Sequence, residues 1–319
     1  MKRIVFTAGL TAALSLNGAA TYAAPFAYIT NQRSNSVSVI DLASDAVVDT
    51  IAVGDKPAGV ATSRDGSRIY VSNVESKNVS VIDGASRKVI ATLPAGAGPL
   101  GIALHPDART LYVADWYLNY VSVFDTHSFQ ETTRIPVGKS PSGMTLDKAG
   151  ARLYVTNRDD DNLEVIDTKT LKQIALIHTG RAPFGVTLSP DGHKAFVANV
   201  QTSDVNIIDT DKFVVERTVA AHEFPYTVAM DPVRNHIFIT NQHDDSVSVV
   251  DLATMKEIKY IEAGGFPEGI ALAPNGKHVY VANWFANDVE VIDVNTLEIV
   301  KNIPVGDGCR AFGEFIAPR

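Results

Sequence analysis

The chain is short of cysteine, of basic charge and of long apolar runs, and each shortage excludes something. One cysteine, Cys309, in 319 residues rules out an internal disulfide and a thiolate metal cluster. Lysine and arginine number 28 against 36 aspartate and glutamate, a formal net charge of −8, which disfavours the basic stripe that nucleic-acid binding requires. Beyond residue 24 no stretch is long and apolar enough to span a bilayer, and no window has the 3.6-residue periodicity of an amphipathic helix. There is no Gly-x-Ser-x-Gly elbow, no nucleotide-binding glycine loop and no Cys-x-x-Cys-His haem attachment. The remainder, 45% hydrophobic and 20% charged, is a globular composition able to bury a sizeable core.

Lys2 and Arg3 precede an uncharged run from Ile4 to Ala24 that ends in small residues. A basic start, an apolar middle and a small-x-Ala exit describe a secretory signal peptide over residues 1–24, cleaved near Ala23 or Ala24. Residues 25–319 then form a single domain, placed in the periplasm or outside the cell and without a transmembrane anchor.

The decisive feature of that domain is a repeat. Aromatic residues open a short β motif at Tyr28, Tyr70, Tyr112, Tyr154, Phe196, Phe238 and Tyr280, each 42 residues from the last. Each motif ends in asparagine, except that Asp115 replaces it in the third copy. Thirteen residues after each aromatic stands an aspartate: Asp41, Asp83, Asp125, Asp167, Asp209, Asp251 and Asp293. Ser or Thr follows three residues later in six copies, so the carboxylate is placed to start a turn by accepting backbone N–H groups, a structural role. Within a copy, four β-branched runs alternate with turn chemistry. In the second these are Gly59–Thr62, Ile69–Ser72, Val79–Ile82 and Val89–Leu93, labelled strands A to D.

Seven four-stranded antiparallel units of this size predict an all-β, seven-bladed β-propeller. The chain enters at strand B of blade one, around Phe26–Thr30. The stretch Gly313–Pro318 resembles the A strand at Gly269–Pro274 and is expected to complete the N-terminal blade, with two extra residues in the preceding loop.

Tyr154-Val155-Thr156-Asn157 carries the signature of the YVTN-repeat β-propellers, and the chain after residue 24 resembles the periplasmic YncE-like group over all seven blades. The resemblance implies the fold but no single activity. Related propellers include DNA-binding, cell-surface, lactonase-like and amine-dehydrogenase-subunit proteins, and the last of these carry their quinone on a separate small subunit. The site has to be argued separately.

Positions shared by all copies are explained by the scaffold; departures need their own reason. Strand order puts the B–C and D–A loops on one face, where binding is expected, and the tight A–B turns, such as those holding Arg64 and Lys277, on the other. His222 stands where the other D–A loops have glycine, and Thr227 replaces a later glycine. His243, Glu268, Trp284, Arg310 and Arg33 fall in the same sector of blades six, seven and one, with Cys309 beside them as a candidate thiol. Tyr226, Phe184 and Trp116 add aromatic surface for stacking a ring or a peptide side chain.

His222, His243 and Glu268 have the donor atoms for a divalent metal, although no closely spaced histidine pair is present. Arg310 with Arg33 suits a carboxylate or phosphate. In the alternative, Glu268 and Arg310 neutralise one another. Glu314 occupies a position that is apolar elsewhere, so it must find a hydrogen-bond partner in the closing blade or serve as an acid or ligand. Asp159-Asp160-Asp161 lacks the pattern of a calcium loop and reads as a solvated acidic turn.

These features point to a binding or scaffold module for a small ligand or a periplasmic or cell-surface protein. One alternative is a lactonase-like or other hydrolase with a metal or carboxylate–histidine site in blades six and seven. Another is a non-catalytic subunit of a periplasmic redox complex.

Overall fold

In a computed structural model, described for residues 25–317, the repeats become seven radial sheets around a channel. The expected signal peptide lies outside the described residues. In blade two the strands are Pro57–Thr62, Arg68–Asn73, Asn78–Asp83 and Lys88–Pro94, each a little longer than its apolar run. The other complete blades repeat this arrangement, and two single 3-10 turns, Arg158–Asp160 and Gln242–Asp244, interrupt the strands.

The motif explains itself once the blades stand side by side. The opening aromatic packs between neighbouring sheets: Tyr70 contacts the core that Ile102, Leu111 and Phe124 supply from blade three. Where the third motif residue is Thr or Ser, its hydroxyl donates to a carbonyl of the next blade's inner strand. Thr30 reaches Ala58, Ser72 reaches Leu100, Thr156 reaches Phe184 and Thr240 reaches Glu268, at 2.6–3.0 Å. The motif asparagine ties its own hairpin, as Asn73 donates to Asn78 and to Ser80. Inner strands approach so closely that a Cβ on Gly59 would sit 2.3 Å from the Leu100 carbonyl, and one on Gly101 1.9 Å from that of Ser142.

The aspartates close the C–D turns as expected. Asp167 Oδ1 accepts the Thr170 N–H at 2.7 Å and its hydroxyl at 2.8 Å, Asp125 accepts the same pair from Ser128, and Asp209 and Asp293 each accept two backbone N–H groups of the turn. Asp41, Asp83 and Asp251 complete the set. Every C–D pairing carries a bulge at the same place, for example between Val165 and Ile166, and the outer strands are mostly exposed. Bulged, twisted edges resist pairing with other chains.

Closure follows the expectation in part and corrects its detail. Ile316–Ala317 pairs antiparallel with Phe26–Ala27, so the C-terminus does complete blade one. The two extra residues are not in the preceding loop. Cys309 bridges Asn31, as Pro57 pairs Asn73, and it therefore stands in register. The insertion falls inside the strand, where Phe312–Glu314 swings inward and pairs parallel with Gly59–Ala61 of blade two. Gly313 permits this with φ +104°, and a Cβ there would meet the Val60 carbonyl at 2.6 Å.

Candidate functional site

The second residue of each inner strand recurs at 42-residue intervals as Ala58, Leu100, Ser142, Phe184, Tyr226, Glu268 and Arg310. Ala58, Ser142 and Glu268 are buried at this ring and Arg310 is nearly so. The ring plugs the channel beneath the B–C and D–A loops. Arg310 Nε donates to Glu268 Oε2 at 2.6 Å, another Arg310 nitrogen donates to the Tyr226 hydroxyl, and Gln242 Nε2 donates to Glu268 Oε1 at 2.7 Å. Phe184 packs on Tyr226 with ring centroids 4.2 Å apart, and Phe312 lies 5.0 Å from Phe184. Trp116 borders the plug 6.1 Å from Phe184, with the Arg158 guanidinium 5.7 Å from its own ring.

Burial pushes the Glu268 carboxyl and the Tyr226 phenol up, and Arg310 opposes both. Against burial, Glu268 and Tyr226 hold Arg310 above its ordinary value. The guanidinium cannot lose its proton, and Glu268 accepts from two donors, so the pair is an ion pair at neutral pH. Mutual neutralisation of Glu268 and Arg310 is thus what the structure contains. Arg33 is elsewhere, over the Trp284 ring at 4.2 Å and 3.5 Å from Asp307, so it does not join Arg310 in a two-arginine clamp.

His222, His243 and Glu268 do not converge. His222 faces the outer strand of its own blade, 3.3 Å from Glu257 and 3.6 Å from Asp244, with its ring against Tyr260. His243 stacks on Phe224 at 3.7 Å, and Glu268 is committed to the plug. Among the described residues no group of three or more His, Cys, Asp or Glu is placed to share a metal ion. Cys309 is fully buried, with its Sγ donating toward the Asn283 and Asp288 carbonyls, and burial raises its thiol pKa, which makes it inert.

Outside the plug the aromatic groups form a ladder across blades six, seven and one. It runs from Phe224 through His243 to Phe266, then to Phe285 and Trp284, and ends under Arg33. Phe285 is 49% exposed; across the mouth Tyr117 is 64% exposed. Reading the sequence alone missed Phe312, which the strand insertion carries into the plug, and the part played by Gln242. The signal for the plug was present as one repeat position whose residue differs in every blade, with the large and charged side chains at consecutive copies from Phe184 to Arg310.

Of the two readings for Glu314, a hydrogen-bond partner in the closing blade or an acid or ligand, the first is not found: it points into the channel on the far side of the plug, where its side chain makes no hydrogen bond among the described residues. Its side chain is exposed to the solvent of the channel. The protein around it raises its carboxyl pKa and Arg64 opposes the rise.

Several solved structures share the architecture. A chain of Kuenenia stuttgartiensis hydrazine synthase superposes with a TM-score of 0.73 at 23% identity, covering 79% of this chain and 87% of that one. A functionally unknown protein from Desulfotomaculum acetoxidans DSM 771 gives 0.76 at 15% identity, covering 89% and 98%. The dihydro-heme d1 dehydrogenase NirN gives 0.70 at 14% identity, covering 92% and 75%. At these identities the likeness is one of fold. A search among curated proteins returns no match. The family of seven-bladed β-propeller lactonases matches residues 83–214, a span that excludes His222, His243 and Glu268. The YNCE-like β-propeller family matches residues 8–104 and 231–315, more than half of the sequence, and the chain belongs to that family.

Proposed function

We propose that this protein is a binding propeller of the periplasm or the cell exterior that docks a protein partner through the aromatic B–C and D–A loop rim. One observation carries the reading: the ladder from Phe224 to Trp284, capped by Arg33 and faced by Tyr117, is apolar surface left in water around a mouth that is plugged from within. Aromatic and arginine side chains are the groups that dominate protein interfaces. The polar groups at the mouth serve each other, so Glu268, Arg310 and Tyr226 are structural and leave a surface more than a pocket. A place as a subunit of a redox assembly uses the same surface with a particular partner. Two of the similar structures carry the names of a hydrazine synthase and a dihydro-heme d1 dehydrogenase, which keeps that version in view.

The test is cross-linking in the native cell envelope followed by mass spectrometry, comparing the wild type with Phe285→Ser and Tyr117→Ser. Both positions are exposed, so the thermal midpoint should stay within a few degrees while the cross-linked partner is lost. An undiminished partner band in the double variant would remove the rim from consideration.

A further inference from the structure

The plug leaves a channel closed at one end and open among the A–B turns, enclosing about 610 Å³. Small-molecule sites typically span roughly 300–1,000 Å³. Its walls are apolar, with Met144, Val186, Val228 and Ile270 from four successive blades. Against this uniform lining stand four polar departures from the repeat. Thr227 replaces a glycine, and its buried Oγ1 has no hydrogen-bond partner among the described residues. Glu314 lies in the segment that the insertion carries inward, where the other inner strands have apolar residues. Arg64 and Lys148 occupy the A–B turn position that is proline at Pro106, Pro190, Pro232 and Pro274.

Arg64 donates to the Lys148 carbonyl at 3.1 Å, which joins the turns of blades two and four at the rim. Among the described residues neither Arg64, Lys148 nor Glu314 is in an ion pair, although all three line the same opening. The other charged neighbours there are engaged: Asp147 accepts the Ala151 N–H, and His105 sits against Asp107.

We propose that this channel binds a small zwitterion with an apolar body, its carboxylate held by Arg64 and Lys148 and its ammonium by Glu314. Charges of both signs at one rim suit a head group carrying both. A simple carboxylate would bring a second negative charge to Glu314, and a simple amine would leave the two cations without a partner. The apolar body then lies on the walls below, where burial supplies the affinity.

The experiment is isothermal titration of the purified protein at low salt with phenylalanine, 3-phenylpropionate and phenethylammonium, which share a body and differ in charge. Phenylalanine should bind about tenfold more tightly than either of the others, the factor that ~1.4 kcal/mol of charge complementarity supplies. Glu314→Gln should bring phenylalanine down to the affinity of 3-phenylpropionate. Arg64→Met with Lys148→Met should bring it down to that of phenethylammonium. Lys277→Met, in a turn of blade seven, should change nothing. Circular dichroism on each variant confirms folding, and because Glu314→Gln is isosteric it keeps the test alive if the double variant unfolds. No binding of phenylalanine at millimolar concentration, or equal binding of all three, overturns the proposal.

Discussion

The aspartate that follows each motif aromatic shows how a single side chain serves the repeat. Two or three donors converge on the Asp167 carboxylate, and they hold its pKa below the ordinary carboxylate range. Asp83, Asp125 and Asp293 are lowered in the same way, and Asp209 falls to about 2 with help from Lys212. A depressed folded-state pKa contributes stability that is present above the unfolded value and is lost as pH falls through the folded one. Asp167→Ala should therefore lower the thermal midpoint at neutral pH, with the gap to wild type closing as the solution is acidified. A gap independent of pH would mean that the carboxylate acts by packing alone.

Arg310 behaves in the opposite sense. Read from the sequence it is either a guanidinium for a ligand or the partner of Glu268; in the structure it is the counterion of that buried carboxylate. Truncating it leaves Glu268 desolvated and unpaired, which typically costs about 3–5 kcal/mol. Arg310→Ala should thus be detected as a stability defect in urea titration. Replacing both partners, with Arg310→Met and Glu268→Met, should recover most of the loss, because the charge and its counterion leave together. A ligand-binding defect at unchanged stability would return Arg310 to the functional class.

Between strands, the inner position that is Ser38, Ser80, Ser122 and Ser248 in four blades becomes Glu164 and Glu290 in blades four and seven. Both glutamates are buried, and burial raises their pKa despite hydrogen bonds to Glu164 from Asn157 and the Gly138 N–H, and to Glu290 from the Gly264 N–H. For a carboxyl raised in the folded state the sign reverses: the contribution is full below the unfolded pKa and is lost as pH rises through the folded one. Glu164→Gln keeps the acceptor oxygen and removes the charge. It should raise the thermal midpoint at neutral pH and match wild type in acid, which differential scanning calorimetry across pH will show. An unchanged midpoint at every pH would mean that the Glu164 pKa is the same folded and unfolded, with its burial fully offset by the two donors.

The ring as a whole is held by one short segment that serves two blades. Residues 312–314 pair with blade two and residues 316–317 with blade one, and Arg310 passes its carbonyl to Gly269 of blade seven. Deleting residues 312–319 should therefore remove more than an inner strand: blades one and two separate, and the midpoint falls for the entire domain. Native-state proteolysis should then cut first in blade one. If the truncated chain keeps its midpoint, closure by this segment is not what secures the ring.

The fold was legible because a propeller is a local rule repeated. Forty-two residues give four strands, three turns and an interface to the next copy, and each part leaves its mark in aromatics, glycines and turn aspartates whose partners are mostly near in sequence. The site was legible only as a list of departures. His222, His243, Glu268 and Arg310 break the repeat close together, yet their contacts run to Glu257, Phe224, Gln242 and Tyr226. Which neighbour each side chain chooses depends on the inward or outward turn of a loop and on distances of a few ångströms across the mouth, and a period cannot encode these. The same holds for the last strand. The sequence by itself determined that two extra residues precede the end of the chain. Only the packed ring decided that they bulge inward, because the outer side of that strand is already filled by blade one's own sheet, while the channel has room for Phe312 and Glu314.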